Sequence, residues 1–502
     1  MTKVVILSVP YLEPHPQVAP ILLSACLNDA GISAKAIDFN ILFLQKFIDS
    51  EYWIDIKNIL INGHLHNTKL PRKVFAEILK FSKKFLKELV SKHNPEWIGL
   101  SIFSSESLDF SLILSYLIRK FFPKIKIIAG GKGLEVPSSL AANSKKHYIE
   151  FIENNIVDTV VIGDAEKSII NVIKENFIGL YESPQQNKDD LDSIPLPNYS
   201  DYDLNVYKKL KNHVSLDRMV KEPYFVVTSS KGCIRNCTFC DVASFWPKFI
   251  FRDPEKVARE IISYYKNTGI KNVQFTDNLI NGSVTNYRKI NQILAQEIPN
   301  EIKYSGYAIF RGKNQMPDED FDLAAKAGCV HWSIGVESGS EKIRYDMKKK
   351  FSNTDLDWSI KNLHRVNIKQ SWLMIVGYPT ETESDFLETL DMFKRYAHLN
   401  KSGMIQYSVT PTFALLENSP LFHDLELIKS HGLADTFKQH LYQKFWTSSI
   451  NPDNTFDVRV KRWFRLVELA EELGYSRHEG FVITKWTNEI NNLLRIYNET
   501  KN

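Results

Sequence analysis

The chain has 502 residues, enough for two or three domains with sizeable cores. Its 43% hydrophobic and 24% charged residues are ordinary for a globular protein, and a formal charge of +4 gives no argument for nucleic acid or membrane as a partner. Five cysteines, three of them clustered, do not make a secreted disulfide framework and suit a reducing compartment, so a cytoplasmic enzyme is expected.

The first apolar segment, residues 4–9, is too short for a signal peptide, and no run approaches the roughly 20 apolar residues that span a bilayer. Residues 4–9 read as a strand, 19–30 as a helix closed by Gly31, and 34–39 as a second strand. Further strands are expected at 97–103, 125–129 and 157–162, with a helix at 108–122 and a lysine-rich helical insertion from about 41 to 94. Strands alternating with helices imply parallel βαβ units in a doubly wound, flavodoxin-like sheet over residues 1–180. Ligands in such sheets bind beyond the strand carboxyl ends. There lie Ser101, the glycines of Ala129-Gly130-Gly131, and Gly163-Asp164-Ala165-Glu166. Glycine lets backbone approach a bulky ligand, and a serine hydroxyl can meet its edge. Gly130-Gly131-Lys132-Gly133 is not a P-loop, because no Ser or Thr follows the lysine.

These stretches resemble the cobalamin-binding domain that precedes many radical S-adenosylmethionine (SAM) cores. The resemblance implies that Ser101, Gly130, Gly131, Gly163 and Glu166 contact cobalamin. Cobalamin mutases use D-x-H-x-x-G in the first loop, with its histidine on cobalt. The loop here reads Glu13-Pro14-His15-Pro16-Gln17-Val18, with only His15 in common, so His15 is the candidate lower ligand. The alternative is a flavodoxin-like fold without a ligand.

Residues 181–215, polar, then acidic, then proline-punctuated, read as an ordered linker. From 216 to 400 strand-plus-helix units repeat six times, which suits a partial (β/α)6 barrel with its chemistry at the strand carboxyl ends. Asp253 is a natural N-cap for a helix beginning at Pro254. Leaving the first strand is Cys233-Ile234-Arg235-Asn236-Cys237-Thr238-Phe239-Cys240, a C-x3-C-x2-C loop. Three thiols from one loop suit a [4Fe–4S] cube that keeps one iron open, and the spacing alone also admits a three-cysteine zinc site or buried thiols. Cys26 and Cys329 sit in apolar contexts and read as core residues, and Lys348-Lys349-Lys350 as solvated surface.

The cysteine spacing, with an aromatic before the last cysteine, resembles the radical SAM superfamily. By that resemblance Cys233, Cys237 and Cys240 ligate the cluster, the open iron chelates SAM, and reductive cleavage yields a 5′-deoxyadenosyl radical. It further implies that Phe239 lies near the adenine and that Thr276, Asp277 and Asn278 meet the methionine amino group. Arg311 would pair with the SAM carboxylate, Glu337 with ribose hydroxyls and Ser338 with other polar groups of SAM. Gly377 and Pro379 would pass the adenine with their backbone. Residues 401–502 show no motif; a last strand at 407–412, a helix at 456–474 and aromatics that belong mostly to core are expected of this substrate or cap region.

The two resemblances together imply a cobalamin-dependent radical SAM enzyme that methylates an unactivated carbon or phosphorus centre of a small molecule. A flavodoxin or ferredoxin would serve as electron donor. The alternatives are a non-methylating cyclisation, rearrangement or oxidation, and, in a different class, a non-catalytic metal-binding protein. A methylthiotransferase would need three more cysteines in the first domain, where only Cys26 occurs.

Overall fold

The computed structural model describes residues 2–12, 15–62, 70–104, 107–135, 146–211, 224–400, 403–410, 412–438, 444–478 and 483–501. Glu13, Pro14, Pro411 and residues 212–215 of the expected linker lie outside them, as does the side chain of Trp486. The chain divides into two compact units, Met1–Pro223 and Tyr224–Asn502.

In the first unit, β1 (Val4–Ser8), β2 (Ala34–Ile37), β3 (Trp97–Ser101), β4 (Lys126–Gly130), β5 (Thr159–Ile162) and β6 (Gly179–Glu182) form one sheet in the order β2-β1-β3-β4-β5-β6. Every pairing is parallel. The chain leaves β1 to one side for β2 and returns on the other side for β3, so β1 and β3 flank the switch point where a crevice opens. Val4, Ile6, Trp97, Ile128 and Val161 from the strands pack with Leu27, Ile169, Val172 and Ile173 from the covering helices Val18–Asp29 and Ala165–Glu175. The insertion is helical as expected: Phe39–Phe47, Trp53–Asn62 and Arg72–His93.

Two features of this unit were not legible as sequence. β6 is a half-exposed edge strand without alternating polarity, so no period marks it. The stretch expected as a linker is folded into the unit. Asp201 accepts from the Ala36 amide at 3.0 Å and from Lys35 Nζ at 3.1 Å, and the buried Tyr207 donates to the buried carboxylate of Asp38. Ser8 also donates to Asp38, whose pKa burial raises despite these hydrogen bonds. Isolated tyrosines in a polar, proline-rich stretch carry no periodic signal, and only the fold gives them partners.

The second unit holds β7 (Tyr224–Val227), the two-residue strands β8 (Ser230–Lys231) and β9 (Ile250–Phe251), then β10 (Asn272–Phe275), β11 (Lys303–Ala308), β12 (Cys329–Glu337), β13 (Lys369–Met374), β14 (Ile405–Val409) and β15 (Ser476–Arg477). The main sheet runs in sequential order from β7 through β10 to β14, with β15 at the far edge, and all its pairings are parallel. This is the partial (β/α)6 barrel expected, with a short extra strand from the carboxyl-terminal region. Local signals explain its helices: Asp253 caps Pro254–Thr268, which Gly269 ends in the left-handed conformation. Ser352 with Asp355 and Thr382 with Asp385 form capping boxes at Asn353–Arg365 and Glu383–Tyr396. Cys26 and Cys329 are buried, as read from the sequence.

Candidate active site

The cysteine loop is pinned at its root. β8 pairs antiparallel with β9, so residues 232–249 form a closed loop. Gly232 has φ +79°, and a Cβ there would lie 2.5 Å from the Lys248 carbonyl oxygen, so only glycine fits. Asp277, at the end of β10, is 1% exposed and accepts from Ser229 N at 2.9 Å and from the hydroxyls of Ser229 and Ser230 at 2.5 Å. Its carboxylate therefore anchors the start of the loop, a role the sequence did not show. Thr276 stays exposed, its hydroxyl 2.7 Å from that of Thr228, and Asn278 is half-buried beside them.

Cys237 is buried, and Cys233 and Cys240 are half-buried. Burial raises the Cys237 thiol to about 12, with nearby Lys349 opposing, and burial raises Cys240 as well. Among the described residues no three His, Cys, Asp or Glu side chains stand together as a single-ion site. A zinc ion needs its ligands converged within about 2.0–2.3 Å of one point, whereas a cubic cluster takes each thiolate on a different iron and so spreads them. Three thiols supplied by one loop suit the cluster in the number and chemistry of their donors.

Positive charge surrounds this loop. Arg235, between the first two cysteines, reaches the Lys350 carbonyl at 3.2 Å, and its Nε is buried without a hydrogen-bond partner. Arg311 donates to the carbonyls of Asn281 and Gly282, both at 2.8 Å, yet its Nε is likewise buried and unpartnered. Burial lowers Arg311 to about 10, and Arg235 lowers it further while Cys233 opposes, so the two guanidiniums and the thiol share one neighbourhood. Two orphaned N–H groups beside the loop suit a carboxylate. Arg235 lay inside the motif and was missed; a cation among cluster cysteines was the signal.

Lys349 corrects another expectation. It is not solvated surface: it is 8% exposed and pairs with Glu337 Oε1 at 2.9 Å, itself 7% exposed. Burial depresses its pKa, but Glu337 and then Cys237 outweigh that and raise it. Its Nζ also stands 5.9 Å from the centroid of Phe239. The left-handed backbone of Lys348, Lys350 and Glu337 makes this turn, and no composition rule foretells it.

The remaining expected SAM contacts divide. Ser338 is fully buried; its hydroxyl accepts from the Ser340 amide at 3.1 Å and lies 3.3 Å from the Thr389 hydroxyl, so its side chain braces a helix. Gly377 has φ +82° and lies so close to Arg459 that a Cβ would meet its Cδ at 2.3 Å. Its amide donates to Glu381 Oε2 at 2.7 Å, and the Pro379 carbonyl accepts from Asn451 at 3.1 Å. The turn is thus rigidly held, with Tyr378 buried between them.

The first unit has its own cleft, about 190 Å³, at the carboxyl ends of β1, β3, β4 and β5. Ser101, Gly130, Gly131, Gly163 and Glu166 all line it, together with apolar side chains that include Leu22, Leu23 and Ile169. No lysine, arginine or histidine is in its wall. Gly131, at φ +118°, crosses so near β3 that a Cβ would meet the Ile102 carbonyl oxygen at 2.3 Å. His15 is not in the wall; either nitrogen of its ring can meet the Tyr11 hydroxyl, at 2.9 or 3.0 Å.

Residues 227–393 match the Radical SAM superfamily. A provisionally named methylthiotransferase of Methanocaldococcus jannaschii is 30% identical over 49% of this chain and 54% of its own, so the chain spans about half of that relative. An uncharacterized methyltransferase of Pyrococcus horikoshii is 24% identical over 84% of this chain and 89% of its own. The anaerobic magnesium-protoporphyrin IX monomethyl ester cyclase of a Synechocystis strain is 24% identical over 67% and 66%. Among solved structures, the radical SAM methyltransferase TsrM of Kitasatospora setae, with cobalamin and a [4Fe–4S] cluster bound, superposes with a TM-score of 0.56 at 16% identity, over 86% of this chain and 79% of its own. The cobalamin-dependent SAM radical enzyme OxsB superposes with a TM-score of 0.53 at 16% identity, over 94% and 61%. At those identities the likeness is one of fold. Residues 227–393 therefore form a radical SAM domain, which implies a [4Fe–4S] cluster and SAM. No described helix is long and apolar enough to cross a membrane.

Proposed function

We propose that this is a cobalamin-dependent radical SAM enzyme that methylates an unactivated carbon or phosphorus centre of a small molecule. The observation that carries the reading is the cleft of the first unit. It lies at the switch point of a doubly wound sheet, has a glycine-lined end and apolar walls, and carries no cation, its charged lining residues being Asp164 and Glu166. Such a wall suits a bulky, neutral, partly flat ligand, as the corrinoid and its nucleotide tail are. The methyltransferase relative that spans most of the chain and the cobalamin-bound structures of like fold support it.

Bound, the cluster supplies the electron that cleaves SAM, and cobalamin supplies the methyl group. The chain's own residues position both. Cys233, Cys237 and Cys240 would hold the cluster, and the orphaned N–H groups of Arg235 and Arg311 would meet the SAM carboxylate. The rigid Gly377–Pro379 turn gives the adenine a backbone edge. In the cleft, Ser101 and Glu166 are the polar contacts, and Leu22, Leu23 and Ile169 exclude water.

A second reading, cyclisation or oxidation without methylation, has the cyclase relative in its favour. The methyltransferase relative that spans most of the chain favours the first. On the face of the second unit's sheet opposite the helices, Ser305 donates to Gln274 at 2.6 Å, His331 meets Ser371 at 2.7 Å, and Ser371 donates to Gln406 at 3.1 Å. The side chains between them, Tyr304, Trp332, Trp372 and Tyr407, are buried, the last two against the helix Glu383–Tyr396. Burial, then His478 and Lys369, lower His331 to about 4, so it stays neutral. Parallel sheets are ordinarily apolar on both faces. This hydrogen-bonded row crosses most of its strands near their amino-terminal ends, away from the end at which the cysteine loop leaves Tyr224–Val227.

The test is anaerobic purification with hydroxocobalamin, iron and cobalt analysis, and turnover with methyl-deuterated SAM and a strong reductant. Cluster iron, cobalt, 5′-deoxyadenosine and S-adenosylhomocysteine are expected together, the last as the mark of methyl transfer from SAM to cobalamin. Deoxyadenosine without cobalt would remove cobalamin and methylation from the reading. Cobalt and deoxyadenosine without S-adenosylhomocysteine would favour the second reading.

A further inference from the structure

Between two cluster cysteines sits Thr238, and none of its polar groups is free. It is fully buried. Its amide donates to the Met347 carbonyl at 3.1 Å, its carbonyl accepts from the Leu421 amide at 2.8 Å, and its hydroxyl lies 2.6 Å from the Tyr378 hydroxyl. Tyr378 belongs to the turn after β13 that carries the backbone expected at the adenine. Its hydroxyl lies 2.8 Å from His431 Nε2, and the two rings meet edge to face at 5.4 Å. His431 is 5% exposed, and its Nδ1 lies 2.8 Å from the Leu427 carbonyl oxygen, which can only accept.

That last contact orients the whole chain of hydrogen bonds. Nδ1 must carry the proton, so in the neutral ring Nε2 accepts. Tyr378 then donates to His431, and its oxygen must accept from Thr238. The direction runs Thr238 to Tyr378 to His431 to Leu427, from the cysteine loop into the carboxyl-terminal region. The same region supplies the Leu421 amide. Around it Tyr378 packs with Ile343, Met347, Phe413, Leu415, Leu421, Leu433 and Trp446 in one buried cluster, with Phe239 of the cysteine loop against it.

We infer that Tyr378 and His431 are positioning residues for the iron–sulfur cluster: the carboxyl-terminal region, which shows no motif, holds the cysteine loop in its ligating conformation through the Thr238–Tyr378–His431 relay. Backbone hydrogen bonds to Met347 and from Leu421 hold the main chain at Thr238, and the relay adds the side-chain anchor between Cys237 and Cys240, where a ligand set displaced by an ångström releases its metal. Because Tyr378 stands in the turn expected at the adenine, the relay also ties the SAM-side turn to the cluster ligands. The inference rests on the cluster being bound at Cys233, Cys237 and Cys240; it does not depend on cobalamin or on methyl transfer.

The test uses the full-length, cluster-loaded protein and the isosteric variants Thr238→Val, Tyr378→Phe and His431→Leu. Thr238→Ser and His431→Gln serve as conservative partners, the glutamine keeping an acceptor where Nε2 stands. Iron release to a chelator and the electron paramagnetic resonance spectrum of the reduced cluster, before and after SAM, are read for each. Circular dichroism and thermal melting check the fold. The first three are expected to release iron about tenfold faster and to show an altered SAM-induced spectral change, while Thr238→Ser and His431→Gln behave as wild type. Equal release rates and unchanged spectra in all five would overturn the inference. So would faster release that tracks lowered melting in the conservative variants as well, since that is general loosening. Wild-type protein that binds no iron would instead remove the cluster assignment on which the relay stands.

Discussion

The two units share one rhythm, parallel strands alternating with helices, and differ in what stands at the strand ends. The first ends its strands in glycine, serine and apolar residues around a cleft without a single cation in its wall. The second ends them in thiols, buried ion pairs and arginines whose N–H groups are left over. A cleft of the first kind holds a ligand by shape and backbone; a loop of the second kind holds a charged cofactor by ligation and electrostatics. Fold alone therefore assigns neither ligand, and the chemistry lies in the loops.

The largest effect that would break this comparison comes from the thiols. Replacing any one of Cys233, Cys237 and Cys240 with alanine is expected to abolish SAM cleavage and deplete iron, with cobalt retained by the first unit. Iron and cobalt analysis alongside 5′-deoxyadenosine assays checks this. Loss of cobalt together with iron would mean that the two sites are not independent.

Next is the buried pair beside the loop. Lys349→Met leaves Glu337 charged and unpaired, at a cost of about 3–5 kcal/mol, and the double variant Lys349→Met/Glu337→Leu is expected to recover much of it. Denaturant melts of the three proteins measure this, and additive losses would show that the pair is not coupled.

Glu381 sharpens the contrast by pH. Burial pushes its carboxyl up to about 7, against the lowering by Arg462 and the Gly377 amide. The native state thus keeps a proton that the unfolded chain releases from its ordinary value of 4.5. Stability should fall as pH rises from 4.5 to about 7 and level off above, by about 3 kcal/mol in all. Glu381→Gln removes that slope; a slope that persists would assign it to another group.

The smallest effect is in the cleft. Ala165→Trp fills it and should weaken cobalamin retention about tenfold, about 1.4 kcal/mol, while leaving iron unchanged. Retention equal to wild type in equilibrium dialysis would place the corrinoid elsewhere.

How much of this was legible in the sequence varies residue by residue. Asp253 and Pro254 announced their helix because a cap is a local bond between neighbours. The cysteine spacing announced its loop because three ligands from one segment must lie within a few residues of each other. Ser101, Gly130, Gly131, Gly163 and Glu166 were found because strand ends in a parallel sheet share one rim, and all five line the cleft. Expectations failed where a residue's partner lies on another element. Lys349 read as surface until Glu337, from the end of β12, was seen against it. Asp277 and Ser338 sit where a SAM contact was expected, but Ser229, Ser230 and Thr389 take up their side chains.

The sequence by itself determined the alternation of strands and helices, the three-cysteine loop and the strand-end glycines, since each is set by spacing along the chain. Only the tertiary structure decided which charges are buried together, that the supposed linker closes onto Asp38, and that Tyr378 and His431 stand behind Thr238. Those contacts join residues on different elements, 12 positions apart for Lys349 and Glu337 and 169 apart for Asp38 and Tyr207. Their energy comes from leaving water together, and nothing in either segment alone records that.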